Sequence, residues 1–113
     1  MMNKLKGVLT AAIMFAGMTT AFAKAKTDNI KVSGNCGSCE KHIETAAKKA
    51  GATTAKWDKT TKVLTVSYDD AKTSNDAIQR NIAAVGYDTE KYAGDMKAYK
   101  SLEECCQYDG KKK

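Results

Sequence analysis

Cys36 and Cys39, set three positions apart in Gly34-Asn35-Cys36-Gly37-Ser38-Cys39, are the side chains best placed to do chemistry. Thiolates are the ligands that soft ions prefer, so the pair points to Cu(I), with Hg(II), Zn(II) and Cd(II) as further fits. The spacing puts Cys36 on a loop and Cys39 in the first turn of the following helix, from where both sulfurs can converge on one ion. Unpaired backbone N–H groups and the dipole at a helix N-terminus favour a negatively charged sulfur there. Gly37 is expected to keep the loop slim beside an ion. Lys41 or the lone His42 could offset the charge of a bis-thiolate, although a solvent-facing role is the simpler reading of His42.

The remaining two cysteines are adjacent, in Leu102-Glu103-Glu104-Cys105-Cys106-Gln107-Tyr108. If this tail packs near the first loop, one or both of its thiols join Cys36 and Cys39 in a set of three or four sulfurs. Such a set suits Zn(II), Cd(II) or a small Cu(I) cluster better than a two-coordinate ion. The alternatives are a bridge to another cysteine, or simple burial. A bond between the neighbours themselves is disfavoured by ring strain.

The same thiols would also serve a thiol-disulfide redox protein, or bridges stapling a small exported domain. Thioredoxin-like folds place a cis-Pro beside their Cys-x-x-Cys, and this chain has no proline at all. With one histidine, no Ser-His-Asp order and no phosphate-binding glycine loop, the chain is expected to be a binding protein and not an enzyme. Met96 is the only methionine after residue 23, which excludes methionine-rich copper storage, and it is expected in the core.

The elements that must position these thiols begin after a secretory signal. Lys4 and Lys6 precede an apolar run from Val8 to Met18, and Ala21-Phe22-Ala23 forms a small-x-small cleavage site. Residues 1–23 are therefore expected to be removed, leaving a periplasmic or secreted protein that starts at Lys24. The apolar run falls short of the about 20 residues that span a bilayer. The full chain carries 19 Lys+Arg against 13 Asp+Glu, and Lys111, Lys112 and Lys113 supply part of the excess in an end expected to be solvated and disordered. No basic stripe with interleaved aromatics is present, so no nucleic-acid partner is expected.

Asn29-Ile30-Lys31-Val32-Ser33 alternates apolar with polar, the period of a half-buried strand. Ile43, Ala46, Ala47 and Ala50 then recur at helical spacing, and Gly51 stands where a C′ residue would stop the helix. Ala55 and Trp57, then Leu64, Val66 and Tyr68, alternate as two strands of a hairpin around Asp58-Lys59-Thr60-Thr61. Thr73-Ser74-Asn75-Asp76 carries N-cap signals for a second helix with Ile78, Ile82 and Val85 on one face, ending at Gly86. Tyr87 to Tyr92 is expected to be a fourth strand. The order is β-α-β-β-α-β, an α+β, ferredoxin-like sandwich with a four-stranded antiparallel sheet and two helices on one face. It leaves the cysteine pair exposed on the loop after the first strand. Met96, Tyr99, Leu102 and Cys105 or Cys106 fall at helical spacing in a short C-terminal extension folded back on the domain.

In this setting the chain resembles the heavy-metal-associated domain family, which includes copper chaperones, metal-binding modules of copper-pumping ATPases and periplasmic mercury-binding proteins. The resemblance runs from about Asn29 to Tyr92. It rests on Val32-Ser33-Gly34 leading into Cys36-Gly37-Ser38-Cys39, followed by Ile43 on the helix. The family's usual loop is Gly-Met-x-Cys-x-x-Cys, whereas this chain has one residue fewer before the first cysteine and no Met. The resemblance implies a domain over residues 24–93 and an extension over 94–113. It further implies a metal ion as ligand, held by Cys36 and Cys39, and hand-over to a metal-transporting membrane protein or another metal-binding domain. A metal-bridged homodimer is a further arrangement it allows.

Overall fold

The computed structural model describes residues 25–113, so the expected signal, residues 1–23, lies outside the described residues. Three strands form one antiparallel sheet: β1 (Ala25–Lys31), β2 (Thr54–Asp58) and β3 (Val63–Asp69), in the order β1-β3-β2. The register sets Ile30 opposite Leu64 on one side and Trp57 opposite Leu64 on the other. Side chains alternate across a pleated strand. Ile30, Trp57, Leu64, Val66 and Tyr68 therefore all reach the buried face. That face meets Ile43, Ala46 and Ala47 of helix α1 (Gly37–Lys49) and Ile78 and Ile82 of helix α2 (Asn75–Ala84) in a single core.

Both helices end as their sequences demand. Gly51 adopts φ 113° and Gly86 φ 104°, the left-handed region where a Cβ is penalised. Gly51 N–H donates to Lys48 O and Ala52 N–H to Ala47 O, closing a Schellman turn that satisfies carbonyls left over by α1. Ser74 is the N-cap of α2, its hydroxyl accepting from Ala77 N–H at 3.1 Å.

The expected fourth strand does not form. Val32 and Thr89 make one isolated bridge, and Ser33 N–H donates to Asp88 O at 3.0 Å. The reason is competition for backbone groups. Asp88 N–H donates to the Tyr108 hydroxyl (2.8 Å), Lys91 N–H to the Gln79 side chain (2.9 Å), and Thr89 N–H turns back to Tyr92 O (2.8 Å). Opposite them, Lys31 N–H is taken by the Glu90 carboxylate at 2.8 Å. These local and side-chain bonds take the place of a continuous ladder.

The extension does fold back, but as two short pieces: helix α3 (Met96–Lys100) and a 3₁₀ turn (Glu104–Cys106). Met96, expected in the core, is 37% exposed, because α3 is one turn long and directs Tyr99 inward instead. Cys106 and Tyr108 enter the core. The lysine end, expected to be solvated, is tied down as well. Lys111 Nζ lies 2.9 Å from the Asp88 carboxylate, with both side chains nearly excluded from solvent, and Lys112 N–H donates to the same carboxylate at 2.6 Å. Among the described residues no helix is long and apolar enough to cross a membrane.

Candidate metal centre

The loop between β1 and α1 is held from below. Lys62, at φ 64° in the β2–β3 turn, accepts Val32 N–H on its carbonyl (2.9 Å) and reaches Gly34 O with its ammonium group (2.6 Å). Trp57 Nε1–H donates to Val32 O at 3.0 Å. Neither Lys62 nor Trp57 was visible in the sequence as a support for the loop. Lys62 carries no local signal for a left-handed conformation, and Trp57 reads as an ordinary core aromatic.

Cys36 is the N-cap of α1, its carbonyl accepting Glu40 N–H at 3.0 Å, and Cys39 lies in the first turn. Their sulfurs are 3.6 Å apart. The pair is not exposed as expected: Cys39 is fully buried and Cys36 half-buried, because the 3₁₀ turn of the tail closes over the loop. That closure brings Cys105 Sγ to 3.2 Å and Cys106 Sγ to 3.8 Å from Cys36 Sγ, with the two tail sulfurs 3.9 Å apart. The sulfurs of Cys36, Cys39 and Cys106 all lie within 4.8 Å of one another. Cys105 sits outside that mutual group, on the solvent side of the cluster. Asn35 fastens the two segments, its side-chain amide donating to Cys105 O at 3.3 Å and its backbone N–H to Cys39 Sγ at 3.4 Å.

The electrostatics differ from thiol to thiol. The Cys39 backbone N–H at the helix start, followed by the Cys105 thiol, holds Cys36 down to about 6. Cys105 is raised by its contact with Cys36, and Cys106 is raised by burial and then by Cys39. Of Cys36, Cys105 and Cys106, Cys36 is thus the one that ionises first. Gly37 does not play its expected part: it opens α1 on the surface, and a Cβ there would meet nothing. His42 is half-buried, with its Nδ1 turned inward to hydrogen-bond the buried Tyr87 hydroxyl at 2.8 Å. Burial, and then the thiols of Cys106 and Cys39, raise the Tyr87 phenol, which stays protonated beside the sulfurs.

Soft-metal ligation is the chemistry that this convergence allows, and the comparisons with known proteins agree with it. Comparison with curated proteins gives no match. Among solved structures the chain is similar to a CopZ metallochaperone, at 29% identity and a TM-score of 0.54, over 57% of this chain and 98% of that one. It is similar to oxidized MerP from Ralstonia metallidurans CH34, at 28% identity and a TM-score of 0.55, over 58% of this chain and 94% of that one. It also resembles the water-soluble region of the P-type ATPase CopA from Bacillus subtilis, at 36% identity and a TM-score of 0.53, over 57% of this chain and 44% of that one. The tail that brings Cys105 and Cys106 to the loop lies beyond the matched domain, whose model covers residues 30–88. By that match the chain belongs to the heavy-metal-associated domain family.

Proposed function

We propose that the protein binds Cu(I) as cargo in an exported compartment, as a scavenger or metallochaperone and not as an enzyme. The observation that carries the reading is the mutual approach of Cys36, Cys39 and Cys106, within 4.8 Å and largely buried. Two thiolates on opposite sides of one ion, each about 2.3 Å from it, stand about 4.6 Å apart. The 3.6 Å between Cys36 and Cys39 is too short for that line and favours a bent site completed by a third sulfur. Cys106 supplies it from the core side, and Cys105 stands at the open side where an incoming thiol could exchange. A metal-transporting membrane protein or a second metal-binding domain fits as recipient, in keeping with the metallochaperone and ATPase structures to which the chain is similar.

The test is competition for Cu(I) against a chromophoric chelator under anaerobic, reducing conditions. The wild-type chain should take the ion, and a Cys36→Ser, Cys39→Ser variant should lose it while keeping its circular dichroism spectrum. Unchanged uptake by that variant would sink the reading. Competing Hg(II), Cd(II) and Zn(II) into the same assay ranks the cargo. A metal-bridged pair of chains requires the tail to leave Cys36, so the mass of the loaded protein separates the two arrangements.

A further inference from the structure

We infer that the four thiols form a two-ion site for monovalent thiophilic ions, with Cys36 and Cys106 as bridging ligands, Cys39 as the inner terminal ligand and Cys105 as the outer one. The inference rests on the metal-binding reading above and adds its stoichiometry and its selectivity for charge.

The sulfurs make two triangles that share an edge. The inner one is Cys36, Cys39 and Cys106, with sides that include 3.6 and 3.8 Å and none above 4.8 Å. The outer one is Cys36, Cys105 and Cys106, with sides of 3.2, 3.8 and 3.9 Å. Three sulfurs at about 2.3 Å from one ion stand about 4.0 Å apart, so each triangle fits a three-coordinate ion with small adjustments. A single tetrahedral ion would need every pair at about 3.8 Å. Cys105 lies outside the mutual group that contains Cys39, so that arrangement does not fit without moving the tail.

The shared edge, Cys36 to Cys106, measures 3.8 Å. Two ions that both touch its ends at about 2.3 Å would lie about 2.6 Å apart, one on each side. Coulomb repulsion scales with the product of the charges, so two divalent ions at that separation repel about four times as strongly as two monovalent ones. The geometry therefore selects a monovalent pair such as Cu(I). Loading balances as two Cu⁺, three thiols and the Cys36 thiolate giving a dianionic two-copper, four-thiolate cluster and three protons. No electron is transferred, because copper enters already reduced. The inner ion lies against buried Cys39 and Cys106, and the outer one against exposed Cys105, so the outer ion is the one to load last and leave first.

The test is anaerobic titration of the reduced full chain with Cu(I), with the bound ions counted by native mass spectrometry. The expected result is two Cu(I) per monomeric chain, and one for Cys105→Ser, whose exposed position leaves the fold intact. With Zn(II) the wild-type chain should stop at one ion. Saturation of the wild type at one Cu(I) would overturn the two-ion site while leaving the single-ion reading in place; two ions retained in Cys105→Ser would overturn the outer place given to Cys105, and two Zn(II) per chain would overturn the selectivity for charge. No ion bound at all would overturn both.

Discussion

The hydroxyl of Tyr108 stands in for a missing strand: it accepts Asp88 N–H at 2.8 Å and donates to Gly86 O at 2.7 Å. Asp88 belongs to the segment that would otherwise pair with β1, and Gly86 ends the helix just before it. The ring is buried, stacked on Tyr87 at 5.9 Å and met edge-on by Tyr99 at 5.0 Å. Tyr108→Phe keeps those ring contacts and leaves a buried amide and carbonyl without partners, at a cost of about 1–3 kcal/mol. Thermal unfolding should show a Tm lowered by several degrees. An unchanged Tm would mean that water or a shifted backbone replaces the hydroxyl.

Asp88 gives the tail a pH limit. Burial would raise its carboxyl, but Lys112 N–H, the Lys111 ammonium and Gly94 N–H together hold it below the usual carboxylate value. A carboxyl depressed in the folded state contributes stability that is complete above its unfolded pKa and lost as pH falls through the folded one. Docking of the lysine end should therefore persist at neutral pH and fade only below about pH 4. Protease cleavage after Lys111 and Lys112, followed between pH 7 and pH 3, reads it out. Asp88→Asn should be cleaved readily at every pH, and equal protection of the variant at neutral pH would count against the ion pair.

What could be read from the chain was local. Ser74, Gly51 and Gly86 mark helix ends through side-chain capping and left-handed backbone, which depend on a few neighbouring residues, and the β2–β3 hairpin follows from alternation around its turn. The cysteine pair at the start of α1 was equally legible. Its burial was not, because that depends on Cys106 and Tyr108 crossing back from the tail to contact residues far away in the chain. Lys111 looked like part of a solvated run, since lysines are seldom buried unless paired. Its partner, Asp88, sits in a stretch that reads as strand. The absent fourth strand has the same origin: Tyr87–Tyr92 holds few apolar residues to anchor a strand, and Tyr108 and Gln79 claim two of its amides.

The thiols should be separable by reactivity in the metal-free, reduced protein. Cys36, half-buried and held to about 6, is already thiolate at neutral pH, whereas Cys105 is more exposed but raised by its neighbour. Brief treatment with iodoacetamide between pH 5 and pH 9, with peptide mapping, should label Cys36 first and with a midpoint near pH 6. Cys105 should follow only at higher pH, despite its exposure. A common midpoint for both, in the ordinary thiol range near about 8.5, would remove the role given to the helix N-terminus.

Cys106 is where fold and cargo meet, so its substitution must separate the two. Its thiol is buried in the core, and Cys106→Ala removes one sulfur from a packed site, at a cost of about 1 kcal/mol in stability. The same change removes the third sulfur of the inner triangle and leaves Cys36 and Cys39, at 3.6 Å, to hold the ion alone. Retention of Cu(I) against a chelator should fall by at least about tenfold, equivalent to about 1.4 kcal/mol. Because the lost stability is small against a marginal domain's total of about 5–15 kcal/mol, the variant stays folded and the two effects are measured on the same sample. Equal copper retention in Cys106→Ala would assign the buried tail thiol to packing alone.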